Sequence, residues 1–185
     1  MYKITLPTLL TWIRIFLVPF FVAVFYIPDF IITLPNKNLV ATIIFIFAAF
    51  TDYLDGYLAR KLKQESSFGA FLDPVADKAL VAAALVVLVN LDRTFIFAAI
   101  IIIVREIAIS ALREWMAQLG EVKSVAVAYI GKLKTALQFF AISLLLFNYN
   151  HYINVIGNIF MLLAVIFTVV SMFYYLEQAK PYLRK

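Results

Sequence analysis

Four aspartates stand at spacings that let two consecutive helices present them to one point. Asp52, Asp55, Gly56 and Ala59 follow at i, i+3, i+4 and i+7, and Gly69, Asp73 and Asp77 at i, i+4 and i+8. At about 100° per residue each set falls along one stripe of an α-helix, with Arg60 at the edge of the first. Carboxylates that close do not all ionise unless something positive sits among them. Their hard oxygens suit Mg²⁺, Mn²⁺ or Ca²⁺, and neither Cys nor a nearby His is present to favour zinc. A divalent ion held by carboxylates, beside small residues that allow close approach, points to phosphate chemistry. There the metal neutralises developing charge and one carboxylate can serve as general base. Plainer roles compete for each residue taken singly: Gly56 and Ala59 in helix packing, the aspartates as partners of Lys78 or Arg60.

The elements that must position these groups follow from composition. The chain has 185 residues, 65% apolar and 15% charged, with a mean hydropathy of +0.97. A soluble domain is about 45–50% apolar and about 25% charged, so the sequence reads as an integral membrane protein. Six hydrophobic stretches, 9–27, 38–60, 75–91, 94–114, 129–148 and 154–176, lie between clusters of charge and turn residues. A transmembrane helix needs roughly 20 residues. The expected fold is therefore all-α, with six transmembrane helices in a single domain over 1–185. The stretches are too long and continuous for barrel strands. Leu6, Leu9, Leu10 and Ile13 recur at helical spacing ahead of Arg14, as in a short interfacial segment.

With six alternating spans, all of the 16 Lys and Arg except Lys37 and Arg93 fall on one side. That bias predicts cytoplasmic termini and a site that faces the cytoplasm. The net charge of +5 thus reports topology rather than nucleic-acid binding. The absence of Cys excludes disulfides, thiolate metal sites and a Cys nucleophile. Uncharged runs at 38–51, 79–91, 94–104 and 135–147 each cover roughly 16–21 Å, and each borders ionisable groups at a similar depth. A charge facing lipid there costs about 2.5–3.5 kcal/mol, which favours a shared polar cavity, although long Lys side chains can instead snorkel. His151, in the 148–154 loop, reads as a surface residue.

Arg105 and Arg113, eight residues apart, and Lys132 and Lys134 at the start of the fifth stretch add a basic wall suited to a second anion. The simpler alternative is that Arg105 pairs with Glu106 or Glu114.

Asp52-x-x-Asp55-Gly56-x-x-Ala59-Arg60-x8-Gly69-x3-Asp73-x3-Asp77 resembles the complete motif of the CDP-alcohol phosphotransferase family. The resemblance implies a six-helix membrane fold, usually a homodimer, that passes a phosphatidyl group from CDP-diacylglycerol to an alcohol and releases CMP. It also implies Asp52, Asp55 and Asp73 as metal ligands, with Asp77 as general base and possible ligand to a second Mg²⁺ or Mn²⁺ ion. Gly56, Ala59, Arg60 and Gly69 would receive the CDP-diacylglycerol. The segment Leu6-Pro7-Thr8-x-x-Thr11-x-x-Arg14 resembles the family's N-terminal segment near that site, with Thr8 where many members carry Asn, and this adds Thr11 and Arg14 to the donor residues. The runs 68–78, 105–114 and 131–135 resemble the bacterial branch whose alcohol is sn-glycerol 3-phosphate, which implies Arg105, Arg113 and Lys134 as its phosphate ligands. Other alcohols (inositol phosphate, serine, phosphatidylglycerol) are the nearest alternatives. A small cation transporter is a more distant one, because the outer half of the spans carries almost no ionisable groups.

Overall fold

Continuous apolar runs broken by Pro, Asn and Asp leave the backbone one way to satisfy its own hydrogen bonds in lipid, which is to coil. The computed structural model describes residues 6–62, 67–118 and 129–180. Over them it forms six helices, α1 (Leu6–Tyr26), α2 (Leu34–Leu62), α3 (Ser67–Asn90), α4 (Ile96–Gln118), α5 (Tyr129–Phe147) and α6 (His151–Ala179). They fall into two units: α1 to α3 with Leu146–Tyr149, and Leu91–Leu145 with the chain from Asn150 onward.

In the first unit α1 packs against both α2 and α3. Its interior alternates large and small side chains, among them Phe21, Phe45, Leu80, Leu85 and Leu88 beside Ala41, Ala48, Ala76 and Ala84. The alanines let helix axes approach while the larger side chains fill the space between. The α1–α2 turn is fixed by Ile31 and Ile32 amides donating to the Pro28 carbonyl at 3.0 and 3.2 Å. Asp29 and the buried Lys37 ammonium pair there at 2.6 Å. Pro74, inside α3 and next to Asp73, has no N–H to donate to the carbonyl one turn back.

In the second unit α4 packs on α6 around Ile109, Met116, Tyr175 and Ala179, flanked by Leu112 and Met172. Gly157 of α6 meets α5 so closely that a Cβ there would lie 2.9 Å from Leu145 Cγ and Cδ2. Arg93 donates through Nη1 to the Leu145 carbonyl at 3.3 Å, where a cation meets the negative end of α5. Asn150 caps α6, its side chain accepting from the Ile153 amide at 2.9 Å. Asp92 and Asn148 adopt φ of 53° and 44° in the two turns, the left-handed region that Asp and Asn tolerate better than most residues.

Large apolar side chains such as Phe16, Phe20, Phe97, Ile100, Leu162 and Phe173 lie on the outside, while Thr11, Arg14, Arg105, Lys134, Gln138, Thr168 and Ser171 are buried. Large apolar side chains on the outside, with charged and polar groups buried inside beside the apolar core, mark a multi-pass membrane protein. The expectation of six transmembrane helices is corrected. Among the described residues three helices are long and apolar enough to cross a membrane, over Leu9–Tyr26, Leu34–Asp52 and His151–Ala179. Charge is the reason for the difference. Asp73, Asp77 and Lys78 occupy the first half of α3, and Arg105, Glu106, Arg113 and Glu114 interrupt α4. Of α5 the described apolar piece is Leu133–Phe147, shorter than a span. The expectation that both termini are cytoplasmic used six alternating spans and falls with that count. The expected interfacial segment also runs without a break into α1.

Candidate active site

Thr11 and Arg14, one turn apart on α1, are both buried where α1 meets α2 and α3. The Thr11 hydroxyl donates to Asp73 Oδ1. Arg14 donates through Nη1 to Asp52 Oδ1, and its Nη2 lies 3.5 Å from Asp73 Oδ1. One guanidinium thus joins the acidic stripes of α2 and α3. Its side chain is 2% exposed beneath carboxylates that are 47% and 43% exposed, so the cation forms a floor and the carboxylates face outward. Thr51, beside Asp52, turns its hydroxyl onto the Ala48 carbonyl at 2.7 Å and takes no part.

Asp77 follows Asp73 by one turn of α3 and is exposed. Asp55, Gly56, Ala59 and Arg60 belong to α2 and Gly69 to α3, but their side chains lie outside the described residues. Among the described residues no group of three or more His, Cys, Asp or Glu is gathered for a metal. The donor chemistry nevertheless fits a hard divalent ion. Asp52 and Asp73, from different helices, already direct carboxylate oxygens to one cation, Arg14, and all four motif donors are carboxylates.

A second polar cluster lies within the other unit. Arg105 of α4 is buried and donates through Nη2 to Ser171 Oγ at 2.8 Å and through Nη1 to Glu106 Oε1 at 3.3 Å. Lys134 of α5, also buried, donates to the same Glu106 oxygen. Arg113, exposed on α4, donates through Nη2 to the Tyr175 hydroxyl at 2.9 Å. The guanidinium carbons of Arg105 and Arg113 lie 5.5 and 5.0 Å from the centre of the Tyr175 ring. Arg105, Arg113 and Lys134 are therefore assembled in one place, and the Lys132 side chain lies outside the described residues. The Arg105–Glu106 pair expected as the plain alternative does form, but it engages only one of the Arg105 nitrogens. Burial pulls Lys134 and Arg105 below their ordinary pKa values, and Glu106 opposes the shift in both.

The sequence pattern of the family described as CDP-alcohol phosphatidyltransferase matches residues 4–170. The chain belongs to this family. It is 50% identical to the CDP-diacylglycerol–glycerol-3-phosphate 3-phosphatidyltransferase of Haemophilus influenzae, over 96% of this chain and 95% of that protein. Proteins of the same name from Pectobacterium atrosepticum and Shigella flexneri are 47% and 46% identical, each over 96% of both chains.

Two residues of this family member went unnoticed in the sequence. Ser171 and Tyr175 sit on the last helix, read above only as a span, yet both are fully buried against the arginines of α4. A signal was present. Thr168, Ser171 and Tyr175 recur at i, i+3 and i+7, a line of polar side chains on the buried face of α6.

Proposed function

We propose that the chain transfers the phosphatidyl group of CDP-diacylglycerol to sn-glycerol 3-phosphate, giving phosphatidylglycerophosphate and CMP, with residues 1–185 acting as one catalytic domain. The observation that carries this is near-full-length identity of 46–50% to proteins named for that reaction. The family match supports the single domain, since it runs through both units.

The second cluster supports a phosphorylated alcohol over serine or phosphatidylglycerol. Arg105, Arg113 and Lys134 set three cations against the one Glu106 carboxylate. The surplus positive charge matches a phosphomonoester, which carries about −1.5 to −2 at neutral pH. Planar guanidinium forks suit its oxygens.

Asp52, Asp55, Asp73 and Asp77 are the proposed holders of two Mg²⁺ or Mn²⁺ ions, which when bound neutralise charge on the pyrophosphate of the donor. Thr11, Arg14, Gly56, Ala59, Arg60 and Gly69 are assigned to CDP-diacylglycerol. In this reading Asp77 accepts the proton of the primary hydroxyl of glycerol 3-phosphate. The hydroxyl oxygen bonds to the phosphatidyl phosphorus as the bond from that phosphorus to CMP breaks. Arg60 balances charge on the departing CMP. Such a reaction rests on positioning and fixed electrostatics, so no side-chain nucleophile is required.

We place the site on the cytoplasmic side of a bacterial inner membrane. Arg60, Lys61 and Lys63 follow closely on the Asp52 end of the second span, the pattern of a cytoplasmic flank. A homodimer in membrane lipid, with no nucleic-acid partner, completes the reading. The test is CMP release by purified protein with Mg²⁺ and CDP-diacylglycerol, comparing glycerol 3-phosphate, serine, inositol phosphate and phosphatidylglycerol. Release that depends on glycerol 3-phosphate alone is expected. Release with a different alcohol instead would refute the assignment.

A further inference from the structure

Two guanidiniums eight residues apart on α4 begin about 12 Å apart along the helix axis. Long, flexible and alike in charge, they have no intrinsic reason to meet. Both nevertheless converge on a single side chain of α6, with Arg105 and Arg113 lying 5.5 and 5.0 Å from the centre of the Tyr175 ring. The Tyr175 hydroxyl accepts from Arg113 Nη2 at 2.9 Å. The ring itself is fully buried among Ile109, Met116 and Ala179, so its orientation is set by packing rather than by the arginines.

Ser171, one turn earlier, holds the other side of Arg105. Its hydroxyl proton goes to the Thr168 carbonyl at 3.0 Å, which turns a lone pair toward Arg105 Nη2 at 2.8 Å. With Nη1 on Glu106, both terminal nitrogens of Arg105 are directed by neighbours. Its Nε is buried without a hydrogen-bond partner among the described residues. That N–H is a donor that a phosphate oxygen would satisfy.

We propose that Tyr175, assisted by Ser171, is the positioning residue of the alcohol-phosphate site, holding Arg105 and Arg113 so that both guanidiniums address one phosphate. The ring offers each cation a π face and so lowers their mutual repulsion. The hydroxyl fixes the fork of Arg113, the more exposed of the two, and removes rotamer freedom that substrate binding would otherwise have to remove. This rests on the reading that the alcohol is glycerol 3-phosphate. It adds that α6 determines affinity for that substrate without touching it and leaves the donor side alone.

The test uses the full chain in detergent with Mg²⁺, reading CMP release while each substrate is varied in turn. Tyr175→Phe keeps the ring and the packing but loses the hydroxyl. Its KM for glycerol 3-phosphate should rise about five- to tenfold, the scale of one ordinary net hydrogen bond. Its KM for CDP-diacylglycerol and its kcat at saturating glycerol 3-phosphate should stay within about twofold. Ser171→Ala should move the same constant in the same direction. Tyr175→Leu, without ring or hydroxyl, should raise it further, and because Tyr175→Phe conserves volume the proposal stays testable if the leucine variant fails to fold. An unchanged KM for glycerol 3-phosphate in Tyr175→Phe overturns the proposal, as do equal rises for both substrates or a fall in kcat that saturating glycerol 3-phosphate does not restore. Those failures leave the parent enzyme dependent on glycerol 3-phosphate. A parent protein whose CMP release ignores glycerol 3-phosphate would instead refute the functional reading, and the positioning role with it.

Discussion

Replacing Glu106 with Leu should destabilise the chain far more than replacing Lys134 with Met, although the two substitutions break the same ion pair. Glu106 accepts from both Lys134 and Arg105. Those side chains are 6% and 5% exposed, against 23% for Glu106. In Glu106→Leu two buried cations lose their shared carboxylate, and leaving an uncompensated buried charge costs about 3–5 kcal/mol. In Lys134→Met the less buried carboxylate keeps Arg105 as partner and methionine refills the volume, so a loss of about 1 kcal/mol is expected. For a chain of this size the first corresponds to a fall in unfolding midpoint of roughly 6–20 °C and the second to roughly 2–4 °C. The assay is thermal unfolding of the detergent-solubilised protein followed by intrinsic tryptophan fluorescence. A phosphate bound to the same cations should offset part of the first loss, since a ligand at 100 times its dissociation constant stabilises by about 2.7 kcal/mol. Glycerol 3-phosphate should therefore raise the midpoint of Glu106→Leu. Equal midpoints for the two variants would refute the account of Glu106 as the common counter-ion.

Asp77→Asn should abolish CMP release while the protein still binds CDP-diacylglycerol, and retained turnover would remove Asp77 from the role of base. Chelation with EDTA should stop CMP release and added Mg²⁺ or Mn²⁺ restore it; full activity after exhaustive chelation would contradict the carboxylate site. Gly157→Ala should lower thermal stability by about 1–2 kcal/mol, because its Cβ would meet Leu145 Cγ at 2.9 Å and displacing packed core atoms outweighs alanine's helix propensity. A stabilised variant would mean that α5 and α6 separate there without strain.

The helices and the approach of Asp52 to Asp73 were legible because each rests on local periodicity, whereas the Asp55 side chain lies outside the described residues and the metal role of the four aspartates is a proposal. Every one of the six hydrophobic stretches became a helix, and the spacing of Asp52 and Asp73 does direct both to one cation. The identity of that cation was not legible. Arg14 read as a donor-binding residue, and only the packing of α1 on α2 and α3 brings it between carboxylates 38 and 59 positions away in sequence. Tyr175 was missed for a related reason. A tyrosine in an apolar helix is an ordinary core residue until a partner 62 residues earlier donates to it. Spacing reports which residues share a face, and the face opposite comes from tertiary structure.

The failed count of spans and the presence of a site have one cause. A helix that crosses lipid needs about 20 apolar residues, and a helix that supplies ionised groups to phosphate chemistry must interrupt that run. In this chain α3 and α4 do so, with Asp73, Asp77 and Lys78 and with Arg105, Glu106 and Arg113. Two of the helices that keep a full apolar window contribute mainly uncharged or deeply buried polar groups. Thr11 and Arg14 of α1 and Ser171 and Tyr175 of α6 are each at most 2% exposed. The apolar helices can therefore orient charges carried by their neighbours at little cost to their own fit in lipid. On this argument, residues that position a charged group in such a protein should be sought as single polar side chains, one turn apart, on the inner face of the most hydrophobic helices.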